Sequence, residues 1–177
     1  MRKKRGEISQ AFTYIMVVIV FSVVFLFGYK AINHFVGEGE KVAFITFKSD
    51  IENAVKSIGY GSVTVYNAEH PLRVPSRYTK VCFFDYDISP KPDWVADESM
   101  PCPNDISVQA CDAFRTYESW ESSDANVFLS PEGIVPIKVY RIKLKNNRTS
   151  VPYICIPAAG RLDIRLAGQG THVLISS

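Results

Sequence analysis

From Ile8 to Tyr29 the chain runs for 22 residues without one charged side chain. Between Tyr14 and Phe27 the run is almost entirely Ile, Val, Met, Leu and Phe. At about 1.5 Å of rise per residue, a helix of this length spans roughly 33 Å, enough to cross the hydrocarbon core of a bilayer. Such a surface needs lipid or neighbouring helices, so the remainder of the chain is expected to be a head attached to this segment. Phe12, Ile15, Val18, Val23 and Phe27 are the residues expected to line the membrane or a helix–helix contact. A secretory signal has a shorter apolar region followed by a small-residue cleavage site. Ser22, Gly28 and Ala31 do not form such a site, and a retained helix is expected.

Arg2, Lys3, Lys4 and Arg5 precede the apolar run. Cytoplasmic flanks of membrane helices carry excess Lys and Arg, so this end is expected inside and everything beyond about Asn33 outside. The four cysteines, Cys82, Cys102, Cys111 and Cys155, form an even set compatible with disulfides in an exported head. Asn147-Arg148-Thr149 is an N-glycosylation sequon. The formal net charge of +2 conceals an uneven distribution. Asp85 to Asp124 holds ten acids against two bases, whereas Ala125 to the C-terminus holds seven bases against two acids. No uniformly basic face is implied, and no nucleic-acid partner is expected.

Past Tyr29 the helical pattern continues. Phe44, Phe47, Ile51, Ala54, Val55 and Ile58 share one face, with Lys48, Glu52 and Lys56 elsewhere. Gly37 and Gly39 leave two arrangements open. One is a continuous helix to Ile58; the other is a membrane helix, a hinge, and a second amphipathic helix started by the capping box at Ser49 to Glu52. Gly59 and Gly61 end the helical pattern.

Strands are then expected at Ser62–Tyr66, Lys80–Asp85, Asn126–Ser130, Pro136–Lys145 (with a bulge), Val151–Ile156 and Arg161–Leu166. The last has Leu162, Ile164 and Leu166 inward. Gly168-Gln169-Gly170 turns it into a terminal hairpin with Thr171–Ile175. Residues 86–123 are Pro-rich, acidic and aperiodic, a surface excursion with a helical turn near Val108 to Tyr117. The fold class is therefore α+β: a long hydrophobic helix, an amphipathic extension, then a mostly antiparallel sheet. The expected divisions are a leader (1–6), a membrane or filament-core helix (7–36), an amphipathic helix and linker (37–61) and an extracellular β-rich head (62–177).

With these residues laid out, the N-terminus resembles those of type IV pilin-like precursors, in particular archaeal ones. Those have a short basic leader, a Gly just before the cleavage point, a long hydrophobic helix and a β-rich extracellular head. Arg5-Gly6 matches the residues before the cut, which makes Glu7 the new N-terminus. Ser9 matches the Ser that one archaeal pattern has at the third mature position. Ala11 stands where that pattern has Glu. The resemblance implies processing between Gly6 and Glu7 by a prepilin-type peptidase, residence in the lipid bilayer before assembly, and packing of the helix against like subunits in a surface filament. Removing the four leader bases would leave a formal charge of −2. The other reading of the same residues is a single-pass membrane protein, neither processed nor polymerised, whose extracellular head serves binding or adhesion.

Among three possible connectivities, Cys102–Cys111 and Cys82–Cys155 are the expected pairs. The first would pin the acidic excursion; the second would join two strands, with free buried thiols at Cys82 and Cys155 as the other possibility. No CxxC pair exists and the histidines, His34, His70 and His172, are scattered, so no zinc site is expected. Asp85-Tyr86-Asp87, Asp97-Glu98 and Asn104-Asp105 lack an EF-hand pattern and read as a solvated acidic loop. No GxSxG, HExxH or phosphate-binding loop occurs, so neither enzymatic activity nor a cofactor is expected. Trp94, Trp120, Tyr86 and Tyr117 are expected to anchor the excursion on the sheet. The acidic excursion and the basic face carrying Lys138, Arg141, Lys143, Lys145, Arg148, Arg161 and Arg165 are expected to be two ordinary solvated faces; the alternative is that they are complementary and attract each other between copies.

Overall fold

The structure, a computed structural model, describes residues 4–59, 65–66, 72–97, 99–131, 135–146 and 149–176. It resolves into two compact units, Met1–Val42 and Ala43–Ser177. The helix α1 (Lys4–Gly59) is a single element. Neither Gly37 nor Gly39 interrupts it, so the hinged alternative is set aside; an isolated glycine costs a helix only about 1 kcal/mol relative to Ala.

In the first unit the apolar run of α1 is exposed from Phe12 to Tyr29, and the helix is long and apolar enough to cross a membrane. In the second unit its last turns supply Phe44, Phe47, Ile51, Val55 and Ile58 to a buried cluster, with Ala54 half-buried beside them. The 3.6-residue period of these positions puts them on one face, which is why this part folds into a globular core while the preceding turns have nothing to pack on.

Ten short strands follow among the described residues. β1 (Val65–Tyr66), β9 (Arg165–Gly168), β10 (Val173–Ser176), β5 (Ile142–Asn146) and β6 (Thr149–Ser150) form a sheet in that order. β2 (Leu72–Arg73) pairs with β8 (Arg161–Leu162). β3 (Lys80–Phe84) lies between β4 (Val127–Ser130) and β7 (Tyr153–Pro157). Among the described residues the pairings are antiparallel except β10 with β5. The terminal hairpin is β9–β10, and Gly170 supplies a positive φ of 79° in its turn, a conformation that only glycine adopts readily. The stretch expected as one strand from Arg161 is two, β8 and β9, but Leu162, Ile164 and Leu166 are buried as their alternation requires.

β3 is buried on both sides. Val81 and Phe83 face the cluster containing α1, while Cys82 and Phe84 face a second cluster with Tyr86, Ala110, Phe114, Ala125 and Phe128. Two-sided burial explains its unbroken apolar sequence. The second cluster is the underside of the excursion, which contains α2 (Asp93–Ala96) and α3 (Val108–Thr116). Ser107 caps α3 by accepting a hydrogen bond from the Ala110 N–H at 3.2 Å.

Pro136 to Arg141 is not strand. Ile137 makes an isolated bridge to Val127, and strand structure begins only at Ile142. The partner at Val139 is a side chain: the Asn126 carboxamide accepts from Val139 N–H at 2.8 Å and donates to Val139 O at 3.3 Å. A fully buried Asn thus takes the place of the neighbouring backbone.

Candidate functional site

Two features of the chain carry chemistry: the bare apolar surface of α1 and the charged seam that docks the excursion. On α1, Phe12, Ile15, Val18, Val23 and Phe27 are all exposed, as are Phe25, Leu26, Ile32, Phe35 and Val36. From Phe12 to Tyr29 large apolar side chains point outward all round the helix, so this run has no polar face to present to water. Within the run the Ser22 hydroxyl turns inward to the helix and donates to Val18 O at 2.8 Å. Gly6 and Glu7 lie in the first turn of α1. Asn147 and His70 are outside the described residues.

The seam corrects the expectation of a solvated acidic loop at Asp85 to Asp87. Asp85 directly follows β3 and is buried. Its Oδ1 lies 3.1 Å from Lys143 Nζ of β5 and accepts the Asp87 N–H, also at 3.1 Å. Burial raises the Asp85 carboxyl above the ordinary aspartate range, against the pull of the Lys143 ammonium. Asp87 receives Arg141 Nε at 2.7 Å and the Trp120 N–H at 3.2 Å. Burial acts to raise its carboxyl, but these donors outweigh it and hold the group below its usual value. Lys138 donates to Ser123 O at 2.7 Å and stacks over the Trp120 ring. Arg141 and Lys143 are therefore paired with acids inside the head, and Lys138 is held there by a carbonyl and a ring, so these three cations do not belong to a solvated face.

Aromatic anchors complete the docking. Trp120 donates from Nε1 to Val139 O at 2.8 Å. Phe114 sits 5.1–5.5 Å from the rings of Phe84, Tyr86 and Trp94. Tyr86 is buried, and desolvation pushes its phenol upward. Tyr153 donates to Asp105 at 3.0 Å, and its phenol is pushed up to about 12, by burial first and Asp105 second. Both disulfides are present. Cys82 and Cys155 are directly opposed in the β3–β7 register, and Cys102 is bonded to Cys111 of α3.

His172 is lowered by burial and by the nearby Lys143, and its Nδ1 lies 3.1 Å from Thr171 Oγ1. His34 lies on exposed helix. Among the described residues no group of three or more His, Cys, Asp or Glu is placed to hold a metal ion. A depression of about 620 Å³ runs past Pro90, Pro92, Trp94, Met100 and Pro152, but the ammonium of Lys91 on its wall is turned to Tyr86 O. Sequence reasoning missed the Asp85–Lys143 and Asp87–Arg141 pairs and the Asn126 bridge; the signal present was the apolar flank of Asp85, which follows four buried residues. Comparison with family models, with curated proteins and with solved structures finds no match.

Proposed function

We propose that this chain is a pilin-like subunit of a type IV-like surface filament, held in the membrane by α1 before assembly. The observation that carries the reading is the all-round apolar, exposed surface of α1 behind a basic leader that ends at Gly6. Lipid satisfies that surface while the four leader bases hold it in place, since moving them through hydrocarbon is costly. Once they are removed, a bundle of like helices satisfies it equally well, because packing against protein buries the same apolar area.

The orientation that fits is leader inside and head outside. Two disulfides in a head of one ordinary domain support an oxidising compartment. The partners of this reading are the bilayer, like subunits and a prepilin-type peptidase.

The test is the mass of the mature N-terminus after co-expression with a cognate peptidase. The reading requires a chain beginning at Glu7, and it requires a bulky substitution at Gly6 to block that maturation. A membrane-retained chain still beginning at its basic leader with active peptidase present overturns it.

A further inference from the structure

β2 and β8 place Arg73 directly opposite Arg161. Val74 N–H donates to Gly160 O at 3.1 Å one step along. Hydrogen-bonded and non-hydrogen-bonded pairs alternate in an antiparallel ladder, so Arg73 and Arg161 occupy the closer, non-hydrogen-bonded kind, with both side chains leaving on the same face. Like charges in that position destabilise a ribbon. The relief within the row is weak: Arg161 Nε lies 3.3 Å from Asp163 Oδ2, and both side chains are more than half exposed. The alternation continues to Arg165, which pairs with Ser176, and Ser176 pairs with Lys145 on its other side. Arg73, Arg161, Arg165 and Lys145 are all exposed.

The excursion is the converse. Its cations turn inward: Arg115 donates to Trp94 O and Met100 O, and Lys91 to Tyr86 O. Asp93, Asp112, Glu118 and Glu121 remain exposed. From these two surfaces we infer that the Arg73–Arg161 row is a docking surface for the acidic excursion of a second copy of this chain. An acidic glycan or an anionic lipid surface would use the cations and leave the carboxylates idle; a second copy uses both. The contact joins different patches on the two copies, which permits it to repeat head to tail. It deepens the filament reading in that a shared membrane brings the heads side by side.

The experiment uses the full chain in membranes with carbodiimide, which links amines to carboxylates in contact, and peptide mass spectrometry on mixed isotope-labelled copies. The expected product joins Lys145 of one copy to a carboxylate of residues 93–121 of another. Its yield should fall about tenfold or more in R73E/R165E and equally in D112K/E118K, and recover when the two variants are mixed. Unchanged yield in both variants overturns the inference. So does loss in the basic variant alone, which assigns the row to an anionic surface. If a reversed variant lacks its two disulfides, R73Q/R165Q carries the test with the same direction. Cross-linking of unprocessed protein separates this inference from the filament reading. A cross-link on chains that are never cleaved leaves the head contact standing without a filament. Processed filaments indifferent to both reversals remove the head contact alone.

Discussion

The Lys143 ammonium lies 3.1 Å from Oδ1 of Asp85, a carboxylate whose side chain is 2% exposed. The pair joins the end of β3 to β5 at a point where the excursion leaves the sheet. A buried carboxylate without its cation keeps the cost of desolvation and loses the attraction. Lys143→Met should therefore destabilise the head by roughly 2–3 kcal/mol, below the full range for a wholly buried pair because the lysine is partly exposed. Asp85→Asn in the same chain should recover much of that loss. Chemical denaturation of the four forms, closed as a double-mutant cycle, checks both. A single mutant as stable as the parent would show that the pair contributes nothing.

Asp87 titrates in the opposite sense from Asp85. Its folded carboxyl lies below the unfolded value, so between the two values the unfolded chain holds the extra proton and stability rises with pH. The contribution is present in full above the ordinary aspartate value of about 4 and fades as the pH drops through the folded one. Asp85, raised by burial, gives a smaller stability with rising pH across the window above its ordinary value. Asp87→Asn should accordingly lower the melting temperature at pH 7 and converge with the parent as the solution is acidified below about pH 4. Melting curves of both forms across that range decide it; a constant gap would show that the Arg141 contact does not depend on the Asp87 charge.

The parts of this fold governed by periodicity were legible in the chain. The apolar face from Phe44 to Ile58, the alternation of Leu162, Ile164 and Leu166, and the helical turn at α3 each follow from spacing that local sequence records. What was not legible depends on pairing across long separations. Asp85 and Asp87 read as members of a solvated loop because their neighbours in sequence are acidic; their partners, Lys143 and Arg141, are more than fifty residues away. Pro136 to Arg141 read as strand because its composition suits one, but the edge it would pair with is occupied by the Asn126 side chain. Gly37 and Gly39 left a hinge open beside a continuous helix, and the helix continues because two glycines cost less than it gains from doing so. For the candidate site, the apolar surface of α1 was readable outright, and the charged seam was readable only as complementary composition.

Asn126 holds both polar groups of Val139 and is itself fully buried. Asn126→Ala removes two hydrogen bonds at once and leaves the Val139 N–H without that acceptor in a dry site. Val139 O keeps the Trp120 Nε1 donor. The cost should be about 2–3 kcal/mol, the desolvation of one orphaned donor plus the lost bonds. Because the bridge sets where β5 begins, amide exchange at Val139 should rise more than at Leu144, which is in regular strand. Equal changes at the two amides would mean that the bridge supports the fold globally and not this segment.

Val18 stands near the middle of the uncharged run and is exposed in the lone chain. An arginine at a helix centre costs about 2.5–3.5 kcal/mol on the insertion scale, whereas the same change beyond the apolar run meets water or headgroups. Val42, also exposed, is flanked by Glu38, Glu40 and Lys41 and provides that comparison. Val18→Arg should reduce the fraction of chain retained in membranes after an alkaline wash, and Val42→Arg should not. The same contrast holds whether the apolar surface meets lipid or like helices, because neither environment solvates a guanidinium in its interior. It fails only if the run from Ile8 to Tyr29 is covered by neither, and equal retention of both variants would show that.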